Sequence, residues 1–277
     1  MSHSPVEVWR GTANAWQCDH LGHMNTRFYL AIVEEGMAAL GFADATVRAQ
    51  HMRFHREARA GAALHATGQI VGDGDLLFVL RHSESDQVAA TFRLLCNDTW
   101  QTVAELPKEA QPRSVTLENQ QLTASVARAE QLGLRRTGLG VMTSDVCDAR
   151  GQWRLSGFMG RIADSVSQLP SGDWRAVLEK TAAAGPIRVG GALVEFQTQH
   201  ARWPRLGDRC EVRSGLAGCT DRVFYATHWL LDPATGEPWA AVRAVGVPLD
   251  LDARRIVALT PEAQESYRTA SVSGLSF

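Results

Sequence analysis

The stretch CDHLGHMNTRFYLAIVEE, starting at Cys18, lies over CDARGQWRLSGFMGRIAD, starting at Cys147, without a gap. Cys18 meets Cys147, Asp19 meets Asp148 and Gly22 meets Gly151. In the same register Tyr29 faces Phe158, Leu30 faces Met159, Val33 faces Ile162 and Glu35 faces Asp164, each conservative in size or charge. So few identities would mean little alone, but segments of the same kind follow both copies in the same order. A chain that repeats itself builds one unit twice, so its 277 residues are to be divided before they are folded.

After the first copy come AQHMRFHREARAGAALHATGQIVGDGDLLFVLRHSES and QVAATFRLLCNDTWQ, with turn signals at Ala60-Gly61, at Gly72 to Gly74 and around Ser85-Asp86. After the second come GGALVEFQTQHARWPRLGDRCEVRSGLA and DRVFYATHWLLDPATGEPWAAVRAVGVPLDL, with turns at Pro204 to Asp208, Gly218 to Asp221 and Asp232 to Pro238. Both sets read as antiparallel strands. QTVAELPKEAQPRSVTLENQQ between them, polar and with two prolines, reads as a connector crossing the surface rather than a core element. The expected division is 1–105, a connector over 106–133, and 134–277.

From Met24, apolar side chains recur at Phe28 and Ile32, and at Tyr29, Val33, Met37 and Leu40, which is helical spacing with a wide stripe; Gly41 supplies the stop. With Ala31, Ala38 and Ala39 on the other sides, most of this helix can be covered, as a curved antiparallel sheet wrapped around it would do. The second helix, in SGFMGRIADSVSQL, is shorter, and Gly157 and Gly160 let another backbone approach. The fold class expected is α+β.

Composition narrows the partners. The net charge of −2 and the scattered basic residues leave no concentrated positive field for nucleic acid or an anionic membrane. No apolar run reaches the roughly eighteen residues of a membrane span, and MSHSPVEVWRG lacks the regions of a signal peptide, so the expected location is the cytoplasm. Five cysteines without a CxxC pair indicate thiols rather than a disulfide framework or zinc knuckle. His20 and His23 have H-x-x-H spacing with no further ligand following, so no metal and no cofactor is expected.

CDHLGHMN followed by YLAIVEEG resembles the D-x-x-G-H-[VM]-N…Y…E signature of hot-dog-fold acyl thioesterases, with Asp19, Gly22, His23, Asn25, Tyr29 and Glu34 at its spacing. The two halves together resemble a double hot-dog protein, in which one chain supplies what is usually a homodimer. The resemblance implies two tandem hot-dog domains and an acyl-CoA or acyl carrier protein substrate, with a homo-oligomer of such protomers left open. Thioester hydrolysis needs an oxygen to attack the carbonyl carbon and donors for the negative charge that grows on the carbonyl oxygen. Asp19 attacks or takes a proton from water, and the unpartnered N–H groups at the helix start, by resemblance near Thr26, hold the oxyanion. Gly22 permits the turn, and His23 and Asn25 orient water or carboxylate.

Each assignment has a structural competitor. An aspartate just before a helix is ordinarily a cap or turn residue, and Asn25 is a natural N-cap. Glu35, on the face of Phe28, is either buried with a shifted pKa or a cap for a neighbouring amide. Arg53, Arg56 and Arg59 read equally as phosphate ligands and as a charged edge strand. Two other functions compete as well: a hot-dog hydratase or dehydratase using a histidine with a carboxylate, and a non-catalytic acyl-CoA sensor. The second copy departs from the signature, with Gln152 and Arg154 where the first has His23 and Asn25. It is expected to be a degenerate site of Asp148, Gln152, Arg154 and Asp164, with Arg154 paired to Asp148.

Overall fold

The structure is a computed structural model that describes residues 4–100, 105–115, 121–169 and 188–276. In chain order the elements of the first half are β1 (Val6–Thr12), α1 (Thr26–Ala39), β2 (Val47–Phe54), β3 (Ala63–Gly72), β4 (Asp75–His82) and β5 (Val88–Cys96). Then follow α2 (Val126–Gln131), β6 (Arg135–Val141), α3 (Leu155–Ser165), β7 (Val189–His200), β8 (Arg209–Cys219), β9 (Phe224–Leu231), β10 (Pro238–Asp250), β11 (Arg255–Ile256) and α4 (Pro261–Ala270). The chain separates into two compact units, Met1–Asn119 with Thr143–Ala163, and Gln120–Met142 with Asp164–Phe277. The second signature loop and most of α3 thus fall in the first unit.

In the first unit the strands run β1-β3-β4-β5-β2, every neighbour antiparallel. The second unit repeats that order as β6-β8-β9-β10-β7, with β11 on the far edge of β10's end. Alternation along each strand selects the residues that face the helix. In the first unit Phe78 stands opposite Gly68 and Phe92, and Phe92 opposite Met52. α1 buries Tyr29, Leu30, Ile32, Val33, Gly36 and Met37. Its approach depends on two missing side chains: a Cβ on Gly36 or on Gly68 would come within 2.8 Å of the Phe78 ring. Gly41, just past the helix, has φ +85°, the left-handed stop expected of it.

The corresponding face of the second unit is polar. The turn glycines Gly61 (φ +88°) and Gly207 (φ +91°) mark equivalent points, and the same step into the following strand reaches Gly68 in one unit and Ser214 in the other. Ser214 pairs with His228, and its hydroxyl lies 2.8 Å from His228 Nδ1 and 3.1 Å from the Thr137 hydroxyl, which also donates to the Val212 carbonyl. Thr137, Ser214 and His228 are all buried.

The connector is not the surface crossing its polarity predicts. Residues 101–104 and 116–120 lie outside the described residues, but Ala110 is buried against Val71, Leu77 and Val79. Ala124 and Ala129 are buried with Trp229, Leu231 and Ala241 of the second sheet. Both sheets carry apolar side chains on the face away from the central-helix side, and the few apolar residues of this polar segment are spent covering them.

Burial pushes the His228 imidazole down from its ordinary 6.5 to about 4. Between those values the unfolded chain binds a proton that the folded chain refuses, so stability is full above pH 6.5 and is lost as pH falls toward 4. The loss attributable to this group is on the order of 3 kcal/mol. Replacement by the ring found at the equivalent place in the first unit, His228→Phe, should flatten that limb of a stability-against-pH curve measured by urea denaturation.

Candidate active site

The loop from Cys18 to Met24 closes on itself. Cys18 and Met24 form an antiparallel bridge, Asp19 N–H donates to the His23 carbonyl at 2.8 Å, and Gly22 N–H donates to the Asp19 carbonyl at 2.9 Å. Gly22 turns the chain at φ +78°, a conformation that disfavours other residues. Asp19 Oδ1 accepts the N–H groups of Leu21 (2.8 Å) and His23 (3.0 Å). One carboxylate oxygen is therefore a turn acceptor. For Oδ2 no hydrogen-bond partner occurs among the described residues, and Asp19 is exposed.

The loop feeds α1 through Asn25, whose side chain caps the helix by accepting Arg27 N–H at 3.0 Å, while its own N–H donates to the Gln17 carbonyl. The Thr26 N–H has no acceptor among the described residues. An unsatisfied amide at the positive end of a fourteen-residue helix, one position past the cap, is suited to a developing negative charge.

A second segment backs the loop. Met24 N–H donates to the Ala58 carbonyl at 2.9 Å, Ala60 N–H donates to the Gly22 carbonyl at 3.1 Å, and His23 bridges to Arg59. Tyr29, buried edge-on against Phe54, accepts the Ala58 N–H on its hydroxyl at 3.3 Å, and burial pushes that phenol up to about 12. This segment brings in Glu57, which sequence reasoning missed. Its Oε2 lies 3.3 Å from His23 Nε2 and also 3.3 Å from Arg59 Nη2. A carboxylate on Nε2 favours the tautomer in which that nitrogen is the donor. In the sequence Glu57 is one acid in a charged turn, and only the stitching of that turn to the loop singles it out. Trp16, 72% exposed and edge-on to Phe28 at 5.4 Å, also lies beside the loop.

The other expected residues fall elsewhere. Glu35 is exposed, so it is not the buried, shifted carboxylate its face suggested. The shifted carboxyl is that of the half-buried Glu34, which burial raises against the opposing hydrogen bonds of Ser156. Arg53 is buried and donates to the carbonyls of Glu109 and Gln111, so it is neither a solvent-facing strand charge nor placed as a phosphate ligand.

The second loop reproduces the first. Asp148 N–H donates to the Gln152 carbonyl, Gly151 N–H to the Asp148 carbonyl, Gly151 has φ +75°, and Asp148 Oδ1 accepts the N–H groups of Arg150 and Gln152, both at 2.9 Å. Oδ2 differs. Arg150 grips it with Nε at 3.0 Å and Nη2 at 2.8 Å, and Arg150 Nη1 reaches Asp44 at 2.7 Å. The partner is thus Arg150 and not Arg154, because a side chain two residues on folds back over the turn whereas Arg154, exposed, stands beyond it. Burial works to raise the Asp148 carboxyl, but the hydrogen bonds from Arg150 and Gln152 hold it below the ordinary carboxylate range. Trp153 is fully buried here, packed over Gly157 and stacked on Phe158 at 4.1 Å. Asp164 is exposed.

No protein-family profile matches the chain, and no curated protein sequence does. Solved structures do. The chain is similar to the 12:0-ACP thioesterase from Umbellularia californica, with 10% identity over 88% of this chain and 94% of that one, at a TM-score of 0.62. It is similar to a Lactobacillus plantarum protein assigned as an oleoyl thioesterase, with 12% identity over 88% and 96%, at 0.62. A third is an acyl-ACP thioesterase from Bacteroides thetaiotaomicron, with 9% identity over 86% and 96%, at 0.55. At such identities the likeness concerns the fold, and the fold is that of the hot-dog thioesterases.

Removal of the Asn25 cap should leave the Arg27 N–H without its acceptor. Asn25→Ala should therefore destabilise the protein by about 0.5–2 kcal/mol, read from its thermal melt against the parent.

Proposed function

We propose that the chain hydrolyses an acyl thioester, acyl-CoA or acyl-ACP, to the free acid and thiol, with Asp19 as nucleophile or general base. The observation that carries this reading is that one loop is built twice and only Asp19 keeps a carboxylate oxygen out of a hydrogen bond. Asp19 Oδ1 anchors the turn, which leaves Oδ2 as the oxygen to attack the carbonyl carbon or to take a proton from water. The oxyanion would form against the Thr26 N–H. In the nucleophilic route Asp19 Oδ2 bonds to the carbonyl carbon, the tetrahedral adduct breaks its C–S bond to expel the thiolate, which takes a proton from solvent, and the mixed anhydride left behind is cleaved by water to the free acid and the Asp19 carboxylate. In the general-base route Asp19 takes the proton of the attacking water. In this reading His23 orients that water, with Glu57 holding the imidazole. Names of the similar structures agree with thioester chemistry on this fold, and free thiols suit the reducing cytoplasm as its location.

The His23–Glu57 pair also supports a second reading, since a histidine oriented by a carboxylate is what hydration of an enoyl thioester requires. Thiol release from a panel of acyl-CoA and acyl-ACP substrates, with enoyl-CoA hydration followed in parallel, separates the two. Hydration without thiol release would overturn the thioesterase reading.

Asp19→Asn keeps the Oδ1 acceptor, so the turn survives while the charge goes; kcat should fall on the order of 10²- to 10⁴-fold in a protein with an unchanged melt. Asp148→Asn should leave kcat within about threefold, because that carboxylate is already committed to Arg150. Equal losses in the two folded variants would mean two working sites. Leu21 occupies the position that Arg150 holds in the second loop, so Leu21→Arg should install the same clamp on Asp19 and lower kcat by on the order of tenfold or more. Steady-state kinetics with the best substrate checks it.

A further inference from the structure

Single large apolar side chains on a folded surface are commonplace, but the first signature loop shows two, Trp16 at 72% and Leu21 at 50% exposure, on either side of Asp19 in the chain. Trp16 sits in a single helical turn, Ala15–Gln17, closed by Cys18 N–H on the Ala15 carbonyl. The turn is pinned to the helix start, since the Gln17 carbonyl accepts the Asn25 N–H at 2.9 Å. Trp16 precedes the acceptor and Thr26 follows the donor, so this hydrogen bond holds the two neighbours together. The indole rests edge-on against the half-buried Phe28, in the first turn of α1, and the Arg27 guanidinium lies over that ring at 5.4 Å. The second loop has the same backbone: Cys147 N–H donates to the Ser144 carbonyl and Arg154 N–H to the Val146 carbonyl. Its surface is not the same. In the register that pairs Cys18 with Cys147, Trp16 becomes Asp145, Leu21 becomes Arg150 and Phe28 becomes Gly157. A Cβ on Gly157 would run into the Trp153 indole, so a ring like Phe28 has no room there. The exposed aromatic surface thus goes with the loop whose aspartate keeps an oxygen out of a hydrogen bond.

We propose that Trp16, backed by Phe28, grips the pantetheine arm of the thioester, the part common to coenzyme A and acyl carrier protein. The proposal rests on the reading that the thioester carbonyl lies between Asp19 Oδ2 and the Thr26 amide. Two arms run outward from that carbonyl, the acyl group and the pantetheine thiol. An acyl chain gains by losing water on all sides, which an indole standing mostly in solvent does not offer. The pantetheine arm alternates methylene and gem-dimethyl groups with two amides, and amides are costly to bury without partners. An aromatic ledge covering one side of such an arm takes its apolar groups on the ring and leaves its amides in water. Asp145 and Gly157 provide no such ledge in the second copy.

Binding alone tests this, with two thioethers that cannot be hydrolysed. Trp16 is exposed, so its variants should melt as the parent does. The octyl thioether of pantetheine should bind Trp16→Ala about tenfold more weakly than the parent by isothermal titration calorimetry, and Trp16→Phe should recover most of the loss. The octyl thioether of N-acetylcysteamine carries the same chain on the thiol end of the arm alone, and its Kd should differ by less than about threefold between the parent and Trp16→Ala. Equal weakening with both thioethers would mean that Trp16 grips the chain and would overturn the proposal. Unchanged binding of the pantetheine thioether by Trp16→Ala would overturn it too, as would a parent that binds that thioether no better than the shorter one. Thiol release by the parent across the acyl-CoA and acyl-ACP panel is read separately: its absence would remove the thioesterase reading and leave the thioether result standing.

Discussion

The structure around both signature loops depends on one arrangement, a carboxylate oxygen that accepts the N–H groups two and four residues ahead of it across a glycine in the left-handed region. Asp19 does this over Gly22 and Asp148 over Gly151, with nearly superimposable distances. The aspartate thereby fixes the turn that delivers the chain to the helix start. The same side chain that would carry the chemistry also holds its own scaffold, so the second loop can share the aspartate and glycine without sharing the histidine and asparagine. Without the carboxylate two amides lose their acceptor, and without the glycine the turn is strained. Persistence of Asp148 is thus a statement about folding, and only the environment of the second oxygen speaks to function.

That environment is set by residues next to the motif. Leu21 leaves Oδ2 of Asp19 alone, and Arg150 takes Oδ2 of Asp148 in a bidentate grip that it shares with Asp44. Asn25 caps α1 from within, while Arg154 cannot cap α3 and Glu34 does so from α1. The first difference adds partners at the aspartate's second oxygen, and the second replaces a cap from within the loop by one from another helix. A site prepared for a transition state carries unmet hydrogen-bonding capacity in the ground state, and that capacity is costly unless solvent or substrate meets it.

How much of this the sequence makes legible follows the range of the interactions. The helix from Thr26 to Ala39, its stop at Gly41 and the two glycine turns depend on spacing and on local backbone preference, so they can be read from the residues directly, whereas the strand order in each half is set by long-range pairing. The partner of Asp148 is misread because counting residues favours Arg154, at the position of a lost signature residue, whereas the turn itself brings Arg150 back over the carboxylate. Glu57 and Glu34 are set by tertiary placement. Glu57 reaches His23 only because the segment after β2 is laced to the loop by backbone hydrogen bonds, and Glu34 is half-buried while Glu35 is exposed because the face of α1 meeting α3 includes the one and not the other. The connector is misjudged for a related reason: its average polarity hides the alanines at 110, 124 and 129 that cover sheet faces.

Duplication explains why such long-range devices are available here. In a symmetric dimer a change in a helix residue appears at both sites at once, so a carboxylate that satisfies one helix start is imposed on the other as well. In a single chain the copies are uncoupled: Glu34 meets the start of α3 while its counterpart Ala163 brings no anion. The polar Thr137–Ser214–His228 line under the second sheet, where the first has Gly68 and Phe78, reflects the same freedom within the core. Both differences place polar groups where the first copy has apolar or open ones, and both satisfy them internally.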